Sequence, residues 1–287
     1  MSAIRGDGRK PDELRPLTLV YEGLDRADGS ARFGFGDTKA LASISGPIEV
    51  RLAVEQPSKA TFEVVIRPLS AIPGTESKSL SAILRSLFSS SLILSQNPRT
   101  LVQLVVQSLT PTPTLRYHPA LVASIINAST LALLNAGSIP MRGVVCAVAV
   151  GRFRLSPTRT SRAIPTGGNS LVLIVDPSES EASSLEGGGC FAFLFGAGFG
   201  DYDSSLGIPG CEVVWTNWHS TTPFNEDELA RARELARVGA KDVWRAIKDS
   251  VQGAGAKSEP SVSRRAKKSD AMVVQKDDAE VDDKMEI

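Results

Sequence analysis

Residues 28–38 read Asp-Gly-Ser-Ala-Arg-Phe-Gly-Phe-Gly-Asp-Thr, and this stretch decides the fold. Apolar residues occupy every second position from Ala31 to Phe35, which is the period of a β-strand that buries one face. The short reversal Gly36-Asp37-Thr38 follows, and a run of small and apolar residues then extends from Lys39 to Ser45. The stretch therefore predicts a β-hairpin whose second strand ends at Gly46-Pro47.

The rest of the chain alternates between strand and helix periodicity. Strands are predicted at residues 17–21, 60–67, 101–106, 142–150, 169–175, 190–195 and 211–215, and helices at residues 77–95, 119–137 and 225–252. Pro119 and Gly137 mark the two ends of the second helix. Asn225 and Glu228 have the spacing of a capping box at the start of the last helix. Strands before and after the helices indicate an α+β domain.

The charge of the chain is balanced, with 32 basic and 32 acidic residues. Residues 253–287 contain seven basic and eight acidic residues, which leaves 25 and 24 in residues 1–252. A protein that binds RNA unaided normally has a basic face, and this balance does not indicate one. Residues 253–287 are rich in glycine, serine and charge and are predicted to be a disordered tail. Their basic run, Arg264–Lys268, is either a nuclear-import signal or a solvated charge run.

The three cysteines, Cys146, Cys190 and Cys211, are odd in number and have apolar neighbours, so we expect buried, reduced thiols. The histidines, His118 and His219, belong to no cluster with metal-ligand spacing and are interpreted as core or surface residues. No cofactor or metal is predicted. The sequence shows no signal peptide and no apolar run long enough to cross a membrane, so we expect a soluble intracellular protein.

Several separated blocks of the sequence resemble, in the same order, the RNase PH family. They are Asp28-Gly29-Ser30-Ala31, Gly36-Asp37-Thr38, Gly46-Pro47, Pro98-Arg99-Thr100, Ala136-Gly137 and Ile139-Pro140-Met141-Arg142. The resemblance covers residues 5–250 and implies an α+β, RNase PH-like (ribosomal protein S5 domain 2-like) two-layer β/α domain within residues 1–252. The family includes phosphorolytic exoribonucleases and the ring subunits of the exosome.

The resemblance also implies where a phosphate would be held. Active relatives place a Gly-Thr/Ser-Arg turn just before the second helix, and its positions are occupied here by Ala120, Leu121 and Val122. The phosphate-binding arginine is therefore missing, and Arg116 in the preceding loop is a candidate substitute. Arg99 matches a phosphate-facing arginine of the active relatives. It is either a residual phosphate or RNA contact or a connector residue that caps carbonyl groups.

The general acid is the second part of the family's site. Active relatives have a run of aspartates after the strand that corresponds to residues 171–175, and one of them protonates the leaving oxygen. Asp176 matches the first of these aspartates, whereas Gly189 occupies the position of the one before the next strand. Three glutamates remain in this region as candidates: Glu179, Glu181 and Glu186. The resemblance therefore implies a degenerate site without catalytic residues.

Two further basic residues are candidates for RNA contact. Arg67 ends the strand in which active ring subunits carry several basic side chains, and Lys78 lies on the following helix. A solvated surface position explains both residues equally well. The residues at the corresponding alternate strand positions, Glu63 and Val65, are not basic.

The resemblance is greatest to the non-catalytic ring subunits of the eukaryotic exosome. It implies partners in a hexameric ring of RNase PH-like subunits, RNA-binding cap subunits, a separate hydrolytic nuclease, and RNA that passes through the channel, with no membrane. It also implies roles in rRNA maturation and RNA degradation in the nucleus, nucleolus and cytoplasm.

Two alternatives to a structural subunit stay open at this point. The chain could be an active phosphate-dependent 3′-to-5′ exoribonuclease that uses Arg99, Arg116 and one carboxylate among Asp176, Glu179 and Glu181. It could also be a free homodimer or an RNA-binding module outside the exosome, which predicts salt-sensitive RNA binding by the isolated chain.

Overall fold

The computed structural model describes residues 5–70, 72–111, 118–154, 171–182, 184–200, 202 and 207–257. Within these residues, nine strands form two sheets. The first sheet contains β1 (Leu17–Tyr21), β2 (Gly29–Phe35), β3 (Thr38–Glu49), β4 (Thr61–Arg67) and β5 (Thr100–Ser108), in the order β1-β2-β3-β5-β4. The second contains β6 (Val144–Arg154), β7 (Leu171–Val175), β8 (Leu185–Phe195) and β9 (Cys211–Ser220), in the order β7-β6-β8-β9. All neighbouring strands are antiparallel except β4 and β5, which are parallel.

The helices of the described residues are α1 (Thr75–Ser91), α2 (Pro119–Ala136), the short α3 (Glu179–Ala182) and α4 (Glu226–Lys257). Helix α1 packs on β4, and α4 packs on β6 and β8. Helix α1 ends four residues before its predicted end because Leu92 becomes extended and pairs with Met141. The α+β architecture expected from the sequence is confirmed.

The predicted hairpin is formed by β2 and β3. The side chains of Ala31, Phe33 and Phe35 are completely buried, as their alternation predicts. The prediction that the second strand ends at Gly46-Pro47 is wrong, because β3 extends to Glu49. The pairing of β3 with β5 shifts register between Ser45 and Ile48, so the strand passes the proline through an irregularity and then resumes its ladder.

Helix α2 contacts both sheets, with β2 and β3 on one side and β6 and β8 on the other. Its predicted ends are confirmed: Pro119 is its first residue, and Gly137 ends it with a left-handed backbone (φ 61°) that suits glycine. Asn127 ties the helix to β6, since its side-chain amide donates to the Ala147 carbonyl at 2.9 Å and its oxygen accepts from the Ala147 N–H at 2.8 Å.

Among the described residues, α2 is the one helix that is long and apolar enough, by length and composition, to cross a membrane. The expectation that the chain has no apolar run long enough to cross a membrane is therefore wrong, because α2 has both the length and the hydropathy of such a run. The reason for the composition is burial, because 78% of the helix is buried inside the structure between the two sheets.

Helix α4 buries the face predicted for it, with Ala232, Ala236 and Val243 fully inaccessible. The helix continues to Lys257, so the boundary predicted at residue 252 falls inside it. Residues 258–287, which hold most of the predicted tail, lie outside the described residues. Glu228, expected in a capping box, instead forms a buried ion pair with Arg152 of β6, with 2.6 Å between Oε1 and Nε.

The cysteines are reduced, as predicted. Cys146 and Cys190 are buried and Cys211 is half-buried. Burial raises the pKa of the Cys146 and Cys190 thiols, which makes both unreactive at neutral pH.

Candidate active-site cavity

A cavity of about 220 Å³ opens at the N-terminal end of α2. Four segments that are distant in sequence meet there: the start of α2, the connection between β7 and β8, the first residues of β8, and the end of β9. The lining residues are His118, Pro119, Pro177, Ala182, Leu185, Glu186, Gly187, Gly188, His219, Ser220 and Thr221. The cavity therefore lies between two regions that the family resemblance singles out. One holds the positions of the phosphate turn, and the other holds the positions of the aspartates.

His118 closes the N-terminus of α2. Its Nδ1 accepts a hydrogen bond from the Leu121 N–H at 3.0 Å, which satisfies one of the free amides of the first turn. An accepting Nδ1 requires the tautomer that carries its proton on Nε2. Burial, and then the nearby Arg15 cation, lower the pKa of His118. The imidazole is thus neutral at physiological pH.

The three residues that the resemblance implies at the positions of the phosphate turn lie in the first turn of α2. Ala120, Leu121 and Val122 are 0%, 5% and 7% exposed, and none of them lines the cavity. They pack into the core. These positions therefore supply neither a cation nor a hydroxyl group to the cavity.

Asp176, which matches the first family aspartate, is completely buried directly after β7. Both of its oxygens are held by Arg15, with Nε to Oδ2 at 2.8 Å and Nη2 to Oδ1 at 2.6 Å. The Arg15 backbone N–H adds a third hydrogen bond at 3.0 Å. The residue has φ 46°, a left-handed backbone that aspartate tolerates better than most residues. The contacts of its carboxylate are thus all with Arg15 or its cationic neighbours.

Glu181 on α3 is held in a similar way by Arg5. Its carboxylate accepts from Arg5 Nε at 2.8 Å and Nη2 at 2.6 Å, and from the Ser178 N–H at 2.8 Å. Burial raises the pKa of Glu181, but these hydrogen bonds outweigh it and leave the pKa below the ordinary value. A general acid at neutral pH needs a raised pKa, so Glu181 is a poor proton donor.

A cluster of arginines that was not predicted from the sequence holds these carboxylates. Arg5, Arg9 and Arg15 come from the segment before β1. Arg5 is only 6% exposed and also donates to the carbonyls of Val175 and Asp176, at 2.7 and 2.9 Å. Arg9 lies 3.7 Å from the Asp176 carboxylate. The signal in the sequence was three arginines within eleven residues ahead of the first strand.

Gly189 was expected to lie just before a strand. It lies instead inside β8, which begins at Leu185. The three consecutive glycines 187–189 allow β8 to start early, because neighbouring backbones approach there too closely for a side chain. A Cβ built on Gly189 would stand 1.9 Å from the Asn217 carbonyl oxygen. An aspartate cannot occupy this position in the observed backbone.

Glu186 is the carboxylate that lines the cavity, and the Thr222 hydroxyl donates to it at 3.4 Å. Glu179 is exposed on α3 and is not among the lining residues. The two histidines, which were interpreted as unrelated core or surface residues, both line the cavity. No sequence signal brings them together, because about 100 residues lie between them and they reach the same cavity only through the fold, in which β9 pairs with β8 and β8 contacts α2.

The basic candidates lie outside the cavity lining. Arg67 and Lys78 are exposed at the end of β4 and in the first turn of α1. Arg67 pairs in register with Gln107 near the end of β5, and the N-terminal part of α2 contacts Thr38 at this same end of the sheet through a Ser124 hydrogen bond of 3.2 Å. Arg116 lies outside the described residues.

Arg99 lies at the opposite end of the first sheet. Its backbone N–H donates to the Gln56 carbonyl at 3.1 Å, and its Nε is 3.4 Å from the Glu55 carboxylate. Near this end the C-terminal side of α2 contacts Gly46 through the Ser138 hydroxyl at 2.7 Å. An 18-residue helix is about 27 Å long, so Arg99 and the cavity are separated by roughly the length of α2.

The chemistry of the cavity follows from this lining. Among the described residues that form it there is no lysine or arginine, and its histidine at the helix start is neutral. Phosphorolysis requires a phosphate dianion to be held by cations and hydroxyl groups. In the described part of the chain, no group of three His, Cys, Asp or Glu side chains could hold a metal ion in their place.

Comparison with known proteins gives consistent matches. The family profile described as "3′ exoribonuclease family, domain 1" (RNase PH) matches residues 13–138. The chain is 34% identical over 151 residues to the exosome complex exonuclease RRP46 homolog of Oryza sativa subsp. japonica, an alignment that covers 53% of this chain and 60% of that protein. It is 32% identical over 195 residues to the exosome complex component RRP41 of Homo sapiens, covering 63% and 77% respectively.

Among solved structures, the crystal structure of rice Rrp46 superposes with a TM-score of 0.68 at 25% sequence identity, over 86% of this chain and all of the rice chain. The sequence alignment with the rice relative thus spans less than two thirds of its length, whereas the structural match covers all of the rice chain.

Proposed function

The chain belongs to the RNase PH family of 3′ exoribonucleases, and we propose that it is a non-catalytic structural subunit of an RNA exosome core ring. The relatives named as exosome components RRP46 and RRP41 support the ring assignment. The proposed subunit type is exosome component five, in which Asp28-Gly29-Ser30-Ala31 and the apolar replacement of the phosphate turn occur together.

The proposed absence of catalysis rests mainly on one observation, which is that the described residues lining the cavity include no lysine or arginine. These residues therefore offer no permanently cationic side chain that could stabilise a phosphate dianion. The nearby carboxylates offer no replacement acid, because Asp176 is held by Arg15 and Glu181 by Arg5. These contacts support the proposal that this subunit neither binds phosphate for phosphorolysis nor delivers the proton.

The partners follow from the ring assignment. They are other RNase PH-like subunits in a six-membered ring, RNA-binding cap subunits, a hydrolytic nuclease that performs the degradation, and the RNA that passes through the channel. The exposed Arg67 and Lys78, at the same end of the first sheet as the cavity, are the proposed RNA contacts of this subunit. The proposed locations are the nucleus, the nucleolus and the cytoplasm, with rRNA maturation as one of the supported processes.

Two measurements test this function. The endogenous protein, purified through a tag in mild salt, is expected to arrive in a multi-subunit particle with other RNase PH-like chains. The purified full chain is then incubated with RNA and inorganic phosphate, and release of nucleoside diphosphates from the 3′ end is measured. We expect none.

The alternative enzyme would give a different pattern. Phosphate-dependent release that is lost in Arg116→Ala and kept in the control Arg233→Ala, an exposed arginine of α4, would establish an active exoribonuclease with a substitute arginine. A protein that arrives alone or as a homodimer would instead remove the ring assignment and leave the family membership.

A further inference from the structure

A line of basic side chains runs along the exposed face of α4. Arg233, Arg237 and Arg245 are spaced at multiples of four residues, and Lys248 follows three residues after Arg245. Positions three or four residues apart are neighbours on a helix surface, so these four side chains form one line, called here the basic stripe. Arg233 and Lys248 are exposed, and the side chains of Arg237 and Arg245 are 37% and 43% exposed. The stripe is about 22 Å long.

Acidic neighbours compensate the charge of the stripe only in part. The Arg237 guanidinium lies 3.6 Å from the Glu234 carboxylate, and the Arg245 guanidinium lies 2.8 Å from the Asp242 carboxylate. Exposed pairs of this kind are weak and exchange readily with other partners. Both arginines therefore remain available to a second anion.

The balance of charge on this part of the helix is positive. Lys241 has another interaction partner and is left out of the count. Residues 231–248 then contain five basic and two acidic residues, a net charge of +3. Asp242 and Asp249 lie beside the stripe, because one residue turns an α-helix by about 100° and each of them directly follows a lysine of the exposed face. The stripe therefore attracts an anionic partner.

The chain itself contains a segment of opposite charge. Residues 277–286, called here the acidic segment, contain six acidic residues and one basic residue, a net charge of −5. Nineteen residues, 258–276, connect them to the end of α4. A flexible connection of this length has a root-mean-square end-to-end distance of about 24 Å. This reach matches the distance from the end of α4 back to the stripe, which is about 18 Å to Arg245 and about 36 Å to Arg233.

We propose that the acidic segment docks on the basic stripe of α4 within the same chain. A tether whose reach matches the distance it must span holds its end at an effective concentration of about 1 mM, so weak ion pairs suffice for docking. The docked segment occupies cations that otherwise attract the phosphates of RNA. The contact thus shields the exposed face of α4 from non-specific RNA binding, and it does not depend on the chemistry of the cavity.

The test is carbodiimide cross-linking of the full chain, followed by mass spectrometry. The reagent joins a carboxylate directly to a lysine amine that is in contact with it, and Lys248 is the reporter lysine. The stripe variant Arg233→Glu/Arg245→Glu reverses two charges and keeps this reporter. Its matched control, Arg51→Glu/Lys59→Glu, makes the same change of charge at exposed positions between β3 and β4. Thermal melting verifies that each variant is folded.

A second variant changes only the acidic segment, so it tests the proposal even if the stripe variant does not fold. Asp277→Asn/Asp278→Asn/Asp282→Asn/Asp283→Asn removes four of the six acidic charges. Binding of a single-stranded RNA to the wild type and to both variants is measured at about 0.05 M and about 0.5 M salt. Cross-linking of a mixture of isotopically labelled and unlabelled chains separates contacts within a chain from contacts between copies.

We expect a cross-link from the acidic segment to Lys248 within one chain. Its yield should fall about fivefold in the stripe variant and in about 0.5 M salt, and it should be unchanged in the matched control. The variant of the acidic segment should bind RNA about threefold more tightly than the wild type at low salt, because the stripe is no longer shielded.

The proposal is overturned if the folded wild type gives no such cross-link, or if the stripe variant leaves its yield unchanged. Cross-links to Lys267 and Lys268 alone would assign the acidic segment to the basic run of the tail, and cross-links between copies alone would assign it to a second chain. Either result overturns the proposal. RNA binding that is lost in the stripe variant and unaffected by neutralising the acidic segment would make the stripe an RNA site instead.

Discussion

The two sides of the cavity differ in the kind of residues that they contain. On the side of α2, the positions of the phosphate turn carry the apolar residues Ala120, Leu121 and Val122, which are buried in the core. On the side of β7 and α3, the carboxylates Asp176 and Glu181 are present but are tied to arginines of the N-terminal segment. One side presents buried apolar groups, and the other holds its carboxylates in ion pairs.

The difference shows that position, more than composition, decides whether charged residues make an active site. Arg5 and Arg15 lie close to the cavity, yet their guanidinium groups bind carboxylates and carbonyls in fixed, nearly water-free geometry. A guanidinium that already donates two hydrogen bonds to one carboxylate has few free N–H groups left for an incoming phosphate. The arginines therefore stabilise the wall of the cavity, and neither of them is among the residues that line it.

The largest effect is expected from Arg15→Ala, which breaks the buried pair. The Asp176 carboxylate would lose the two hydrogen bonds from the Arg15 guanidinium, keep the one from the backbone N–H, and remain buried without its cationic partner. We expect the free energy of unfolding to fall by about 3–5 kcal/mol, the range for removal of one member of a buried ion pair. This decrease is measured by urea unfolding of the wild type and of Arg15→Ala. A loss below about 1 kcal/mol would be the value of a surface pair, and it would show that Asp176 is accessible enough to act in chemistry.

An intermediate effect is expected from Glu181→Gln, because this carboxylate is partly exposed. The native pKa of Glu181 lies below its unfolded value, so its contribution is complete above about pH 4.5 and is lost as the pH falls through the native pKa. We expect the free energy of unfolding to fall by about 1–2 kcal/mol at pH 7. Below about pH 4.5, the stability of the variant should depend less on pH than that of the wild type. Denaturation at a series of pH values measures both.

An unchanged acid dependence in Glu181→Gln would contradict this account of the pair with Arg5. The matched control is Glu179→Gln on the same short helix, whose exposed side chain should leave both the stability and its pH dependence as in the wild type.

Much of the fold could be predicted because its pattern is local. The alternation from Ala31 to Phe35 and the proline and glycine at the ends of α2 each specify an element through neighbouring residues. The end of β3 was misplaced because its continuation beyond Gly46 depends on pairing with β5, more than fifty residues away. The extent of β8 was misplaced for a similar reason, since close packing against β6 and β9 keeps the glycines extended.

The candidate site was predictable only where one residue carries the information. The missing arginine at residues 120–122 could be read from the sequence, since an apolar residue cannot bind phosphate. The cavity itself could not, because His118, Glu186 and His219 come from three elements that only the packing brings together. The hold of Arg5 and Arg15 on the carboxylates likewise joins residues about 160–176 positions apart.

The smallest effect is expected from Arg99→Ala, an arginine outside both sides of the cavity. Its side chain is 71% exposed and lies 3.4 Å from Glu55, so the pair should contribute about 0.5 kcal/mol or less to the free energy of unfolding. Alanine keeps the Cβ at this left-handed position (φ 59°), so the backbone strain is unchanged. A residual RNA contact would appear differently, as a decrease of about one in the slope of RNA affinity against salt for the assembled particle. An unchanged slope would leave Arg99 as a connector residue, because an exposed cation that touches no phosphate releases no counterion.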